Sequence, residues 1–430
     1  MMKKIRGWMA VTLCAAMCIC GCKAGESAEK PEKPAAVKEE KEKPYQKKLD
    51  MINPSAYDNV MGLEPEEGTS LSVIGKADGV PYWEEVRRGA EQAVKDINEN
   101  LGYEGKKQVR VTYSAPGMPD NVDEQVNILD EELARYPAAL AIAIADINAC
   151  EVQFDLAAES DIPVVAFDSG SDYQGLMAMV STDNREAARE AAQKLAESVK
   201  EKGEVILFIH DSKSGSAMSR EQGFREEIEA NYPEITIAEV CYMDRLSEMR
   251  EAIAAEMNGE ARPAESGDAQ EGTQNEGQAE GMGTADKDTL EGEDENPGTE
   301  TQIPAGGEAV TADMITEEDV IDYLFERHPE VRGIYATNGD AVKRAVEALD
   351  RNESRASLIG FDADEEELEA LKEGKVEALV LQNPFGMGYA AVIASARAAL
   401  SMGNEAVVDT GYTWITRKNL EDEGIQKLLY

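Results

Sequence analysis

Four short apolar runs in this 430-residue chain each end on a side chain able to hydrogen-bond a hydroxyl. The run Val164 to Phe167 stops at Asp168, Gly333 to Thr337 at Asn338, Leu358 to Phe361 at Asp362, and Ala378 to Leu381 at Gln382. An acid, an amide, an acid and an amide can hold a polyhydroxylated molecule, because each hydroxyl both donates and accepts. They carry little that breaks bonds. Asp168 and Asp362 could in principle form the carboxylate pair of a glycosidase, yet nothing in the sequence marks one of them as the acid. There are two histidines, His210 and His328, and no HExxH, GxSxG or GxxxxGK[ST] pattern. The chemistry indicated is reversible capture without catalysis, cofactor or metal.

Runs of this length between helical patterns read as buried parallel strands, and ligands of open α/β sheets sit beyond the carboxyl ends of such strands. A first strand series begins at Ser70 and continues at 108–113, 138–145 and 163–167. A second begins at Glu204 and includes 235–240, 332–337, 357–361 and 376–381. Helical patterns lie between them, as in 83–97, where the small and apolar positions follow helical spacing. The β-α-β-α rhythm predicts doubly wound parallel sheets, and two series in about 360 residues predict two α/β lobes. Tyr82 and Trp83 follow Pro81 just after the first strand, placed to offer ring faces to a sugar; Trp83 equally fits the apolar face of its helix. Arg220 stands near a helix start in the second lobe, where its guanidinium could enter a cleft as a rigid fork of donors. An exposed helix charge is its simpler reading.

The N-terminus has the composition of an export signal. Lys3, Lys4 and Arg6 precede an apolar stretch from Gly7 to Ile19, too short for a mature spanning helix. Ile19-Cys20-Gly21-Cys22 looks like a bacterial lipobox, so residues 1–21 are expected to leave and Cys22 to receive lipid that anchors the protein at the extracytoplasmic face of the membrane. The Lys-, Glu- and Pro-rich stretch 22–69 reads as a flexible tether. Cys150 and Cys241 are far apart in sequence and read as packing residues, since no metal or redox motif surrounds them. Forty-three basic against 86 acidic residues give a net charge of −43, which repels phosphate backbones and argues against nucleic-acid partners. Residues 258–312 hold fourteen acidic and two basic residues with almost no large apolar ones, and are expected to be a disordered insertion.

At these residues the chain resembles the periplasmic binding proteins of the ribose- and galactose-binding type, the substrate-binding components of sugar ABC transporters. The resemblance runs from about Ser70 to Asn419 outside the insertion. It is carried by Pro81-Tyr82-Trp83 with Arg88-Gly89-Ala90, by Ile162-Pro163-Val164-Val165 leading to Asp168, and by Ser181-Thr182-Asp183-Asn184. Arg220-Glu221-Gln222-Gly223-Phe224, Ala336-Thr337-Asn338, Gly360-Phe361-Asp362 and Gln382 complete it. What it implies is a periplasmic-binding-protein-like type I clamp, with three hinge crossovers near Asp183, Gln382 and Thr413. The first lobe would be 70–182 with 383–412, and the second 183–382 with 413–430. Tyr82, Trp83 and Asp168 of the first lobe, with Arg220, Asn338, Asp362 and Gln382 of the second lobe and hinge, would hold a monosaccharide-like ligand. A lipid-anchored monomer would deliver it to the transmembrane subunits of an ABC permease; presentation to a membrane kinase or chemoreceptor is the alternative. A sugar-responsive repressor shares this fold, but no N-terminal helix-turn-helix is present. Ribose-binding members carry an arginine after the first-lobe aspartate, where this chain has Ser169. Lys76, Asp78 and Val80 also stand in the cleft-facing stretch. These departures change which hydroxyls, or which charge, the cleft can hold.

Overall fold

A computed structural model describes residues 43–259 and 309–430 of the chain. The expected signal segment 1–21 and the lipid-bearing Cys22 lie outside the described residues, as does most of the acidic insertion. Residues Pro44–Tyr430 form one unit.

The strands fall in two six-stranded sheets. The first takes β1 (Ser70–Ile74), β2 (Arg110–Ser114), β3 (Ala139–Ile142), β4 (Val164–Phe167) and β5 (Met179–Ser181). The second takes β6 (Gly203–Ile209), β7 (Ile235–Tyr242), β8 (Gly333–Ala336), β9 (Ser357–Phe361) and β10 (Ala378–Gln382). Then β11 (Val407–Asp409) returns to the first and β12 (Tyr412–Thr416) to the second. Their orders are β2-β1-β3-β4-β5-β11 and β7-β6-β8-β9-β10-β12, the same winding twice, and only β12 runs antiparallel to its neighbour. Central strands such as β3 and β8 are buried at every position, as strands covered on both faces must be.

The helices are α1 (Gln46–Leu49), α2 (Pro81–Leu101), α3 (Val122–Leu133), α4 (Glu151–Glu159), α5 (Asn184–Ser198) and α6 (Gly215–Asn231). They continue as α7 (Leu246–Met257), α8 (Glu317–Arg327), α9 (Gly339–Arg351), α10 (Glu365–Glu373), α11 (Pro384–Ala399) and α12 (Glu423–Gln426). Two motif glycines, Gly89 and Gly223, have a packing reason. A Cβ on Gly89 of α2 would run into the Phe385 carbonyl of α11, and one on Gly388 of α11 into the Val86 carbonyl of α2. In the second lobe, Gly223 of α6 meets the Arg185 carbonyl of α5 in the same way. Absent side chains let each helix pair approach backbone to backbone.

The chain passes between lobes after β5, after β10 and after β11, a three-strand hinge. Gln382, Asn383 and Thr410 at these crossings are almost fully buried. Asn383 ties two of them together: its Nδ2 donates to the Thr410 carbonyl and to that of Lys48.

That last bond corrects the expectation of a flexible tether through residue 69. From Pro44 onward the segment is packed against the domain. Leu49, Ile52, Tyr57 and Leu63 are buried in the first-lobe core, and Asn53 exchanges backbone hydrogen bonds with Asp409. Lys48 pairs with Glu85 of α2 and donates to the Leu429 carbonyl, while Met51 packs on the second-lobe core. Four large apolar side chains thus cover surface that α2, α11 and the hinge would otherwise expose to water, at roughly 1.5–3 kcal/mol each. The edges of the acidic insertion are ordered as well. Asn258 makes reciprocal hydrogen bonds with the backbone of Val310, its Nδ2 to the carbonyl at 2.7 Å and its Oδ1 from the N–H at 2.9 Å, so the segment leaves and re-enters at one point.

Candidate functional site

Both sheets point the carboxyl ends of their strands at one cavity of about 770 Å³. Asp168 follows β4 and Asp362 follows β9, and both have left-handed backbone angles, φ 60° and 74°. Aspartate tolerates that region better than most residues. Each backbone N–H still closes the sheet, Asp168 to the Val180 carbonyl and Asp362 to the Val380 carbonyl, while the side chain faces the cavity. The two lobes therefore present matching carboxylates across the crevice.

Each carboxylate has been given partners. Tyr82 at the start of α2 donates its hydroxyl to Asp168 Oδ1 at 2.8 Å, and Lys76 Nζ lies 3.4 Å from Asp168 Oδ2. Burial, with Asp168 and Asp362 nearby, holds the Tyr82 phenol well above its ordinary value, so it stays a donor. Asp362 accepts from Gln382 Nε2 at 2.6 Å and from the Gly339 N–H at 3.1 Å. Burial raises its carboxyl despite the pull of Arg220. Glu367 beside it is raised far above its ordinary range, chiefly by burial and then by Asp362.

Arg220 is not an exposed helix charge. It is 3% exposed, its guanidinium carbon lies 4.2 Å from the Phe361 ring centroid, and all three nitrogens donate within the protein. Nε reaches Asn184 Oδ1, Nη1 the Thr337 carbonyl and Nη2 Gln382 Oε1, at 2.8, 2.6 and 2.8 Å. Each Nη keeps one further N–H for the cavity. Gln382 Oε1 also accepts from Thr182 at 3.0 Å, so Arg220, Gln382 and Thr182 join two hinge crossings to the cavity floor. Asn338 caps α9, its Oδ1 accepting from the Ala341 N–H at 2.9 Å, which leaves its Nδ2 for the cavity. Trp83 lines the cavity but is mostly a core residue, packed edge-on to Phe167 and Tyr82.

All seven residues singled out in the sequence line this one cavity. Several others share it. Tyr430 packs edge-on to Tyr82, with its hydroxyl accepting from the Ala363 N–H, and no run or motif in the sequence points to it. His210 lines the wall with Nδ1 2.7 Å from Thr337 Oγ1, and burial lowers its pKa to about 4, so it is neutral. Asp120 lines the cavity from an exposed loop position, where the surrounding protein and then the nearby acids Asp211 and Asp168 push its carboxyl up to about 6. The sequence signal for these two was position alone, just beyond a strand or in a loop facing the crevice.

The lobes meet across the mouth. The Ser216 N–H donates to Ser169 Oγ at 3.4 Å, the Ile147 N–H donates to the Lys213 carbonyl at 3.2 Å, and Gly215 lies against the Gly170 carbonyl. This is the closed arrangement of a two-lobed clamp. Among the described residues, no cluster of His, Cys, Asp or Glu has the geometry to hold a metal ion, and no helix is long and apolar enough to cross a membrane.

A family model described as the periplasmic binding protein domain matches residues 71–263 and 272–404. The chain belongs to that family. The ribose import binding protein RbsB of Bacillus subtilis (strain 168) is 30% identical over 76 residues, 18% of this chain and 25% of that one, so the match spans a quarter of the relative's length. Solved structures match far more of the chain. A carbohydrate transporter solute-binding protein from Agrobacterium radiobacter in complex with D-arabinose is 24% identical, with TM-score 0.61, over 84% of this chain and 99% of its own. An ABC transporter solute-binding protein from Agrobacterium vitis with bound D-fucose is 20% identical, with TM-score 0.61, over 84% and 100%. The glucose-galactose binding protein GanP of Geobacillus stearothermophilus is 20% identical, with TM-score 0.59, over 83% and 99%. At these identities the structures establish the type I two-lobed fold. Each of these relatives is named as a binding protein for a sugar or other solute, and the first two solved ones as parts of transporters.

Proposed function

We propose that this chain is the extracytoplasmic, lipid-anchored receptor of a sugar ABC transporter, which closes its lobes on a monosaccharide-like ligand and hands it to the permease as a monomer. The observation that carries the reading is the single cavity where strand-end carboxylates of both lobes, Asp168 and Asp362, converge with Gln382, Asn338 and the remaining Arg220 donors. That alternation of acceptors and donors suits a ring of hydroxyls. Tyr82 and Trp83 supply apolar ring surface on the first-lobe side. Closure is the step that matters, because only the closed lobes surround the ligand, and only a closed, loaded receptor differs in shape from an empty one. Cys22 would carry the lipid, and the stretch before Pro44 would be the tether.

The test is a thermal-shift screen of protein starting after Cys22, against pentoses, hexoses, polyols, sugar acids and nucleosides at millimolar concentration. A ligand present at 1,000 times its dissociation constant stabilises by about 4 kcal/mol, a large shift in melting temperature. A hit among the neutral sugars supports the reading. A well-folded protein that responds to none of them refutes it.

A further inference from the structure

The cavity is larger than its strand-end residues need. At about 770 Å³ it stands in the upper part of the roughly 300–1,000 Å³ range that takes drug-sized ligands, and one hexose ring fills only a fraction of it. The excess lies in one direction. Where the end of β4 meets the start of α6 the lobes close on each other, Ser216 on Ser169 and Gly215 on Gly170. On the second-lobe side the same cavity continues past Asn338 between α9 and α10. Lys343, Val346 and Asp350 of α9 stand three and four residues apart, so they share one face, and that face lines the groove with Glu366 and Ala370 of α10. From Asp340 to Asp350, both on the lining, α9 advances about 15 Å at its rise of ~1.5 Å per residue, farther than a single pyranose reaches.

The groove has the side chains a sugar ring uses. Val346 and Ala370 form an apolar floor over buried Val342, offering methyl groups to the C–H face of a ring. The rims carry charges that donate and accept, Lys343 paired with Glu366 at 2.7 Å and Lys375 with Asp350 at 2.8 Å. These pairs are well exposed and therefore weak, so a hydroxyl can take the place of either partner. At the join between groove and strand ends stands Glu367, 3% exposed. Its Oε2 accepts from the Asp364 N–H at 2.8 Å, and its Oε1 lies against Gly339, where a Cβ would collide with it. Burial, and then Asp362 and Asp364, push this carboxyl towards its neutral form, which both donates and accepts. A glycosidic oxygen accepts, and the hydroxyls beside it do both.

We propose that the groove between α9 and α10 is a second sugar subsite, and that the ligand is a disaccharide or longer glycoside with one terminal ring at the strand ends and the next over Val346 and Ala370. This deepens, and rests on, the reading of the strand-end cavity as a sugar site.

The experiment measures affinity by calorimetry for D-glucose, D-galactose and D-xylose and for maltose, cellobiose, isomaltose, lactose, melibiose, galactobiose and xylobiose. Wild type, Val346→Trp and Lys343→Ala are compared, together with the melting temperature of each empty protein. Wild type should bind its best dimer at least tenfold more tightly than either component monosaccharide. Val346→Trp fills the groove and should bring that dimer down to the monosaccharide level while leaving monosaccharide affinity unchanged. Lys343→Ala, on an exposed side chain, should weaken the dimer at least threefold and the monosaccharide not at all, and it decides alone if Val346→Trp does not fold. Wild type that binds a monosaccharide as tightly as every dimer overturns the inference and leaves the sugar reading standing. Variants that weaken monosaccharide and dimer alike, or neither, overturn it too. Wild type that binds no member of the panel also overturns it, and the wider screen above then decides the sugar reading.

Discussion

Gly215 allows closure to be tested apart from folding. It opens α6 on the second lobe, and a Cβ there would lie 2.9 Å from the Gly170 carbonyl of the first lobe, where ordinary contact begins at 3.4 Å. The mouth must therefore widen by about half an ångström to admit one methyl group. The obstruction is on the other lobe, so the second lobe alone accommodates the methyl, and alanine suits a helix better than glycine by up to ~1 kcal/mol. Overpacking costs about 1–3 kcal/mol, and here it falls on the closed state alone. Gly215→Ala should then weaken sugar binding by a factor of ~5 to ~150, and Gly215→Val by more. The melting temperature of the empty protein should stay level or rise. Calorimetry gives the affinity, and small-angle scattering should show a larger radius of gyration with saturating sugar than wild type shows. Wild-type affinity in Gly215→Val would refute the view that the ligand-bound form has this mouth contact. A collapse of the empty protein's melting temperature would place the clash within a lobe and refute it equally.

Asp168→Asn should cost at least tenfold in affinity and lower the melting temperature, because buried Lys76 loses its paired carboxylate, and Arg220→Met should also lower both, because Asn184 and the Thr337 carbonyl lose their donor and Gln382 loses one of two; an unchanged melting temperature in either variant would contradict the geometry. Replacing residues 260–308 by a short Gly/Ser link should leave affinity and melting temperature unchanged, since Asn258 and Val310 already hold the ends together; differential scanning and calorimetry decide. Tyr57→Ala should destabilise by about 3–5 kcal/mol, seen in urea titration, because the ring is fully buried in the first-lobe core; a neutral result would restore the picture of a loose tether. Raised carboxyls and a lowered imidazole oppose each other in pH dependence. Asp120, raised to about 6, and Asp362 and Glu367, raised chiefly by burial, let the folded chain bind their protons first, so they add stability as pH falls through their raised values. His210 faces Asp211, Arg220, Lys76 and Asp168 and is lowered to about 4, so the unfolded chain binds its proton first and stability falls between pH 6.5 and 4. His210→Asn removes the His210 slope and leaves those of the carboxyls, so the melting temperature relative to wild type should rise from pH 7 to pH 5; a constant difference would refute the assignment.

Four of the seven cavity residues were legible because a parallel strand announces its own end. An unbroken apolar run must stop where the chain leaves the sheet, and the next polar residue is delivered to the crevice whatever the rest of the fold does. Asp168, Asn338, Asp362 and Gln382 are of this kind. Their bonding was not legible, since Arg220 draws its acceptors from Asn184, Thr337 and Gln382, three segments brought together only by the finished fold. The packed segment from Pro44 was misread for a related reason. Leu49, Ile52, Tyr57 and Leu63 are spaced irregularly among charged residues and prolines, so no period of 2 or 3.6 marks them. Their burial depends on the faces of α2 and α11 and on the hinge. The short strands β5, β11 and β12 are likewise three to five residues placed by the crossovers rather than by a run of their own.

The wiring between cavity and hinge explains why these polar residues are buried where they are. Gln382 is at once a candidate ligand contact, the acceptor for Arg220 and Thr182, and the donor to Asp362, and it sits at the crossing from β10 to α11. Thr182 occupies the crossing from β5 to α5, and Asn383 ties the third crossing at Thr410 to the packed N-terminal segment through Lys48. A ligand that accepts from Arg220 and donates to Asp362 would therefore pull on two of the three crossings through direct hydrogen bonds. The N-terminal segment rests on both lobe cores through Ile52 and Met51, so opening would disturb apolar contacts there as well. Closure is thus resisted or favoured at the back of the hinge as well as at the mouth. Substitutions at Thr182 or Lys48, which do not line the cavity, should alter affinity through the closing equilibrium alone, leaving the preference among sugars as it is in wild type.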